Sequence, residues 1–101
     1  MDLLAQLAAH RALCIVRADH VPDPAGFTRA LVDAGLPLVE FALMNQEALR
    51  VIAQASTVDG AVVGAGTVMT PQLARDAVAA GARYLVTPGL RPRGSEEAAR
   101  L

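Results

Sequence analysis

The chain contains no lysine; all nine basic residues are arginine. Chemistry in which a lysine amine condenses with a carbonyl substrate is therefore closed to these 101 residues acting alone. Tryptophan is also absent, and Phe27, Phe41 and Tyr84 are the only aromatic residues. A core must then be packed from Val, Leu, Ile and Ala, the composition that buried parallel strands favour. A single cysteine, Cys14, excludes an internal disulfide, and its place in an apolar run predicts a buried, unreactive thiol. Neither sign of charge dominates. The formal net charge is −1 with no basic stripe or acidic tail, so neither nucleic acid nor an anionic membrane is an expected partner. Arg91 and Arg93 read as part of a solvated terminus.

No apolar run approaches the roughly 18 residues that would suggest a membrane span. The opening Met1-Asp2-Leu3-Leu4-Ala5-Gln6 lacks the basic flank and long apolar stretch of a signal peptide. A soluble, cytoplasmic protein is expected. His10 and His20 have no metal-ligand spacing to each other or to Cys14, so neither a metal nor another cofactor is expected.

What the chain does have is rhythm. Hydrophobic residues make up 53%, many of them among its 21 alanines. Four short apolar runs, 13–17, 38–43, 61–65 and 84–87, recur at near-even intervals with Ala-rich, helically spaced stretches between them. Val32-Asp33-Ala34-Gly35 leads into the second run as Val78-Ala79-Ala80-Gly81 leads into the fourth. Strand, helix, strand, helix in this order predicts an α/β fold with four parallel strands. Four units are half of a (β/α)8 barrel, whose full form takes about 250 residues. The expectation is one domain over residues 1–101, either a small open sheet or a partial (β/α)8 barrel.

Local signals mark the helices. A first helix is expected over 3–11. Asp23-Pro24 reads as cap and first-turn proline of a second, running through Phe27, Ala30, Leu31 and Ala34 to a left-handed stop at Gly35. A third, over 46–55, should turn Leu49, Ile52 and Ala53 to the sheet. Asp59-Gly60 turns the chain into the third strand. Thr70-Pro71 opens the next helix, which ends at Gly81, and Ser95-Glu96-Glu97 could start another.

Glu40 is the outlier in Leu38-Val39-Glu40-Phe41-Ala42-Leu43. Strand alternation puts Val39, Phe41 and Leu43 on the helix-facing side and Leu38, Glu40 and Ala42 on the other, the interior of a closed barrel. Barrel active sites open at the carboxyl ends of the strands, and a partly buried carboxylate suits proton transfer near neutral pH. The structural alternative is a plain pair with Arg17. Arg17 closes the first strand at the same rim, where it can hold a carboxylate or phosphate, or simply bridge to Glu40 or Asp19. Gly64-Ala65-Gly66-Thr67 permits close backbone approach and offers a hydroxyl and an amide to a ligand, although a tight turn would also explain it. No third glycine follows at dinucleotide-binding spacing. Thr87-Pro88-Gly89 shapes a pocket floor or is only a turn.

Together, Ile15-Val16-Arg17, Val39-Glu40-Phe41, Val62-Val63-Gly64-Ala65-Gly66-Thr67-Val68 and Leu85-Val86-Thr87-Pro88-Gly89-Leu90 resemble the 2-keto-3-deoxy-6-phosphogluconate (KDPG) aldolase family. That family includes the 4-hydroxy-2-oxoglutarate (KHG) and phosphogalactonate aldolases. The match runs over about 13–90 and corresponds to the first half of the family's barrel. The resemblance implies a cofactor-free Schiff-base aldolase that cleaves 2-dehydro-3-deoxy-6-phosphogluconate to pyruvate and glyceraldehyde 3-phosphate. Glu40 would be the proton shuttle, and Thr67, with Gly66 and Pro88, would line the pyruvyl site. Where members often carry an arginine after that glutamate, this chain has Met44 or Asn45; Arg17 fits the phosphogalactonate-type arrangement and would bind the carboxylate. The family's imine-forming lysine and phosphate site lie on later strands, so inactivity of this chain alone is expected. Family members often form trimers, which implies a homo-oligomer, or a complementary half-barrel as partner. A non-catalytic, self-associating remnant of the barrel is the third possibility.

Overall fold

In the computed structural model, residues 3–10, 12–17 and 21–87 are described. The elements are α1 (Leu3–His10), β1 (Cys14–Val16), α2 (Pro24–Asp33), β2 (Leu38–Ala42), α3 (Glu47–Ala55), β3 (Val62–Gly66), α4 (Pro71–Ala80) and β4 (Tyr84–Leu85). All strand pairs are parallel, in the spatial order β1-β2-β3-β4. The expected α/β partial barrel is what forms. β4 continues in hydrogen bonding beyond its two assigned residues. Val86 N–H donates to Ala65 O at 2.9 Å, and Val68 N–H donates to Val86 O at 3.0 Å.

The helices start and stop for local reasons. Asp23 Oδ1 accepts from Gly26 N at 3.0 Å, and Thr70 Oγ1 accepts from Leu73 N at 3.1 Å. Each cap is followed by proline in the first turn, where a missing N–H costs nothing. At the start of α3 the capping side chain is Asn45, whose Oδ1 accepts from Ala48 N at 3.2 Å. Gly35 and Gly81 take left-handed conformations, φ 85° and 117°, and end α2 and α4 as expected.

One helical face differs from expectation. On α3 the buried positions are Ala48, Val51, Ile52 and Ala55, with Leu49 half-buried and Ala53 exposed. That set follows the i, i+3, i+4, i+7 stripe, which leaves Ala53 outside it. On α2, Pro24 and Thr28 are buried and Leu31 packs on the core, whereas Phe27 is 38% exposed and Ala30 and Ala34 are exposed. Cys14 is half-buried rather than buried, since β1 is an edge strand. The expected helix at Ser95, the Pro88-Gly89 turn, and Arg11, Asp19, His20, Arg91 and Arg93 lie outside the described residues.

The main core lies between sheet and helices. It contains Val39, Phe41 and Leu43 of β2 and its exit, Val63 and Ala65 of β3, the α3 stripe, and Ala74 and Ala77 of α4. No helix among the described residues is long and apolar enough to cross a membrane.

Ile52 is fully buried at the centre of this layer. Replacing it with alanine removes three carbons that the surroundings cannot refill, and stability should fall by about 2–5 kcal/mol. A urea melt followed by circular dichroism reads that loss, and an unchanged midpoint would contradict the packing described.

Candidate active site

Residues in register on parallel strands project to the same side of a sheet. The pairs Ile15–Glu40, Glu40–Gly64 and Gly64–Tyr84 therefore define one row across the face opposite the helices. Below it, toward the strand N-termini, Leu38 and Val62 form a second apolar cluster with Tyr84, against which Leu13 packs. Above it, Ala42 pairs with Gly66, and Arg17 follows directly after the Val16–Phe41 pair. The parity expected for β2 is realised, with Glu40 on the interior face and Val39 and Phe41 against the helices.

Glu40 is 6% exposed and makes no hydrogen bond or ion pair with any described residue. Desolvation raises its pKa above the ordinary value of 4.5, and the positive field of Arg17 partly opposes the rise. Arg17 is itself exposed, so the two residues communicate through space and do not form a contact pair. Its alternative partner, Asp19, lies outside the described residues.

The glycines of β3 have a different job from the one their sequence suggested. Gly64 and Gly66 are not in the left-handed region; their missing side chains leave room. A Cβ on Gly66 would overlap Glu40 Oε2 and lie 3.0 Å from its Cδ and 3.2 Å from its Cγ. A Cβ on Gly64 would overlap the hydroxyl end of the Tyr84 ring. Glu40 thus leans forward into the row of Gly66, while Tyr84 crosses β3 over Gly64. The unusual torsion belongs to Thr67, with φ 56°, a position that β-branched residues rarely adopt. Thr67 is half-buried where the chain leaves β3, one residue beyond the glycine under the carboxyl group.

Sequence reasoning passed over Tyr84. Its phenol is buried, with no hydrogen-bond partner for its hydroxyl among the described residues. Burial pushes its pKa well upward, and the nearby charge of Glu40 adds to the rise. The signal that could have found it is parity: Val62, Gly64 and Gly66 share the interior side, and two absent side chains there require neighbours to fill the volume. Met44 is 60% exposed at the exit of β2, and Asn45 is engaged in capping α3. Pro88 lies outside the described residues. The structure therefore brings Glu40, Gly66, Thr67 and Arg17 to one rim, and adds Tyr84 beneath them.

The family model for KDPG and KHG aldolases matches residues 4–100. The 2-dehydro-3-deoxy-phosphogluconate aldolase of Treponema pallidum (strain Nichols) is 36% identical over 86 residues, which cover 82% of this chain and 40% of that protein. The crystal structure of the 2-keto-3-deoxy-6-phosphogluconate aldolase of Zymomonas mobilis ZM4 with 3-phosphoglycerate has a TM-score of 0.89 at 30% identity. It covers 98% of this chain and 47% of its own. The KDPG aldolase from Legionella pneumophila, with pyruvate captured at low pH as a covalent carbinolamine intermediate, has a TM-score of 0.86 at 26% identity, covering 100% of this chain and 50% of its own. The chain spans half or less of the length of these relatives.

Burial of Glu40 carries a sign that can be measured. A carboxyl group whose pKa rises on folding contributes stability that is complete below its ordinary value and lost as pH climbs through the raised one. Glu40→Gln has no charge to desolvate. Its urea midpoint should gain on that of the parent chain between pH 4 and pH 8, and a pH-independent difference between the two would contradict the burial argument.

Proposed function

The chain belongs to the KDPG and KHG aldolase family, and from that premise we propose that its interior sheet face is the acid/base half of a Schiff-base aldolase site. The observation that supports this most directly is Glu40, a buried carboxyl group without a side-chain partner among the described residues, whose pKa burial raises. Cleavage of a 4-hydroxy-2-keto acid between C3 and C4 requires a base to take the 4-hydroxyl proton. It then requires an acid to return a proton to C3 of the pyruvyl fragment. One carboxyl group whose pKa is raised by burial can do both in turn.

The remaining rim residues serve binding. Arg17 anchors the keto acid carboxylate by paired hydrogen bonds, and Thr67, with Gly66 beside it, contacts the pyruvyl end. The family resemblance adds Pro88, outside the described residues, to the same substrate-binding set. The substrate is 2-dehydro-3-deoxy-6-phosphogluconate, giving pyruvate and glyceraldehyde 3-phosphate. Exposure of Met44 where many members place an arginine leaves Arg17 as the cation at this rim, and that favours the phosphogalactonate epimer as a second substrate reading.

The electrophile-activating amine is not among these residues, because the chain has no lysine. It comes from a complementary half-barrel, since a homo-oligomer of this sequence would carry no lysine either. Such a partner would also cover Ile15, which is on the interior face and 48% exposed. Function in the cytoplasm without a cofactor belongs to the same proposal.

Incubation of the purified chain with the phosphogluconate substrate should release no pyruvate, and borohydride with pyruvate should leave its mass unchanged. Addition of a lysine-bearing second half from a family relative should restore cleavage. Glu40→Gln should then lower the restored rate by about 10²–10⁴-fold. Pyruvate release by the chain alone, without a borohydride-stable adduct, would overturn the proposal.

A further inference from the structure

Tyr84 has no part in the reading above, yet it shares a row with Glu40. The register Glu40–Gly64–Tyr84 places both side chains on the interior face, separated only by a glycine. That glycine is filled from above by the hydroxyl-bearing end of the Tyr84 ring, while Oε2 of Glu40 fills the corresponding space over Gly66. Two residues along a strand are about 7 Å apart. The phenol and the carboxyl group therefore occupy neighbouring interior positions along β3, with no direct hydrogen bond from the phenol to the carboxyl group. Tyr84 is 8% exposed, and its hydroxyl is buried without a partner among the described residues. Leaving such a group unpaired is destabilising, and one bridging oxygen would satisfy it and the carboxyl group together.

We propose that Tyr84 is a positioning residue for Glu40, acting through one bridging oxygen. Its O–H donates to that oxygen, which in turn donates to the carboxylate. The bridge is a water in the free protein. The assignment rests on the reading of Glu40 as the proton-transfer group, but the hydrogen-bonded link itself does not depend on catalysis. By donating toward the ionised form, the phenol holds the carboxylate in one orientation and favours its charge. It thus works against the desolvation that favours the proton, in the same direction as Arg17. The other titratable groups near this row are few. Cys14 of β1 lies within electrostatic reach of the phenol, β3 carries none, and α1 carries only His10, exposed at its last turn.

The chain provides its own probe. Tyr84 is its single tyrosine and there is no tryptophan, so the near-ultraviolet phenol band reports this site alone. In the full chain that band should shift as Glu40 ionises, and Glu40→Gln should abolish the shift. A carboxyl carbon-13 titration of Glu40 should move to a higher midpoint in Tyr84→Phe, which keeps the ring and loses only the donor. A phenol band blind to Glu40, or a Glu40 midpoint unmoved by Tyr84→Phe, would overturn the link. Neither readout needs turnover. Failure of the aldolase reading with the spectral coupling intact is therefore distinguishable from failure of the bridge with Glu40 still required for cleavage.

Discussion

A carboxyl group held on the buried side of an apolar parallel sheet is the constraint around which this half-barrel is arranged. Taking a charge out of water is costly, and the usual escape is an ion pair or retention of the proton. Here Glu40 has no contact pair among the described residues, and burial raises its pKa. The cost is limited by shape: two glycines on β3 open a shallow recess across the interior face, and Glu40 and Tyr84 lie in it. The helices, the core between them and the sheet, and the caps that fix strand order all serve to hold that recess at one rim.

Much of this was legible in the residues. The four apolar runs gave four parallel strands in order, because a fully buried strand has little alternative to a continuous Val, Leu and Ala run. Asp23-Pro24, Thr70-Pro71, Gly35 and Gly81 marked helix ends through backbone chemistry that acts within a few residues. Parity in β2 put Glu40 on the interior face. Helical faces were less legible. An Ala-rich helix looks similar from several sides, so Ala53 was read as inward although it is exposed. The recess was not legible at all, because a glycine that makes room and a glycine that makes a turn are the same letter. Only register decided it.

Thr67 shows where local preference gives way to the site. A β-branched residue at φ 56° costs about 1–3 kcal/mol, and the strain is placed one residue after the glycine that accommodates the carboxyl group. The surrounding sheet supplies the compensation: Leu43 N–H donates to Gly66 O at 2.9 Å on one side, and Val68 N–H donates to Val86 O at 3.0 Å on the other. The chain is thus pinned before and after the residue that must turn against its preference. Under the proposed function, four strands would organise proton transfer and carboxylate binding, and a second half would bring the nucleophile to the same mouth.

The sheet is widest in its middle. β2 and β3 have five residues each, whereas the rims β1 and β4 have three and two. A rim that short presents few free N–H and C=O groups in a line, and a growing stack of misfolded chains needs such a line as its template. Short outer strands thus act as a guard against indiscriminate edge-to-edge growth of the sheet.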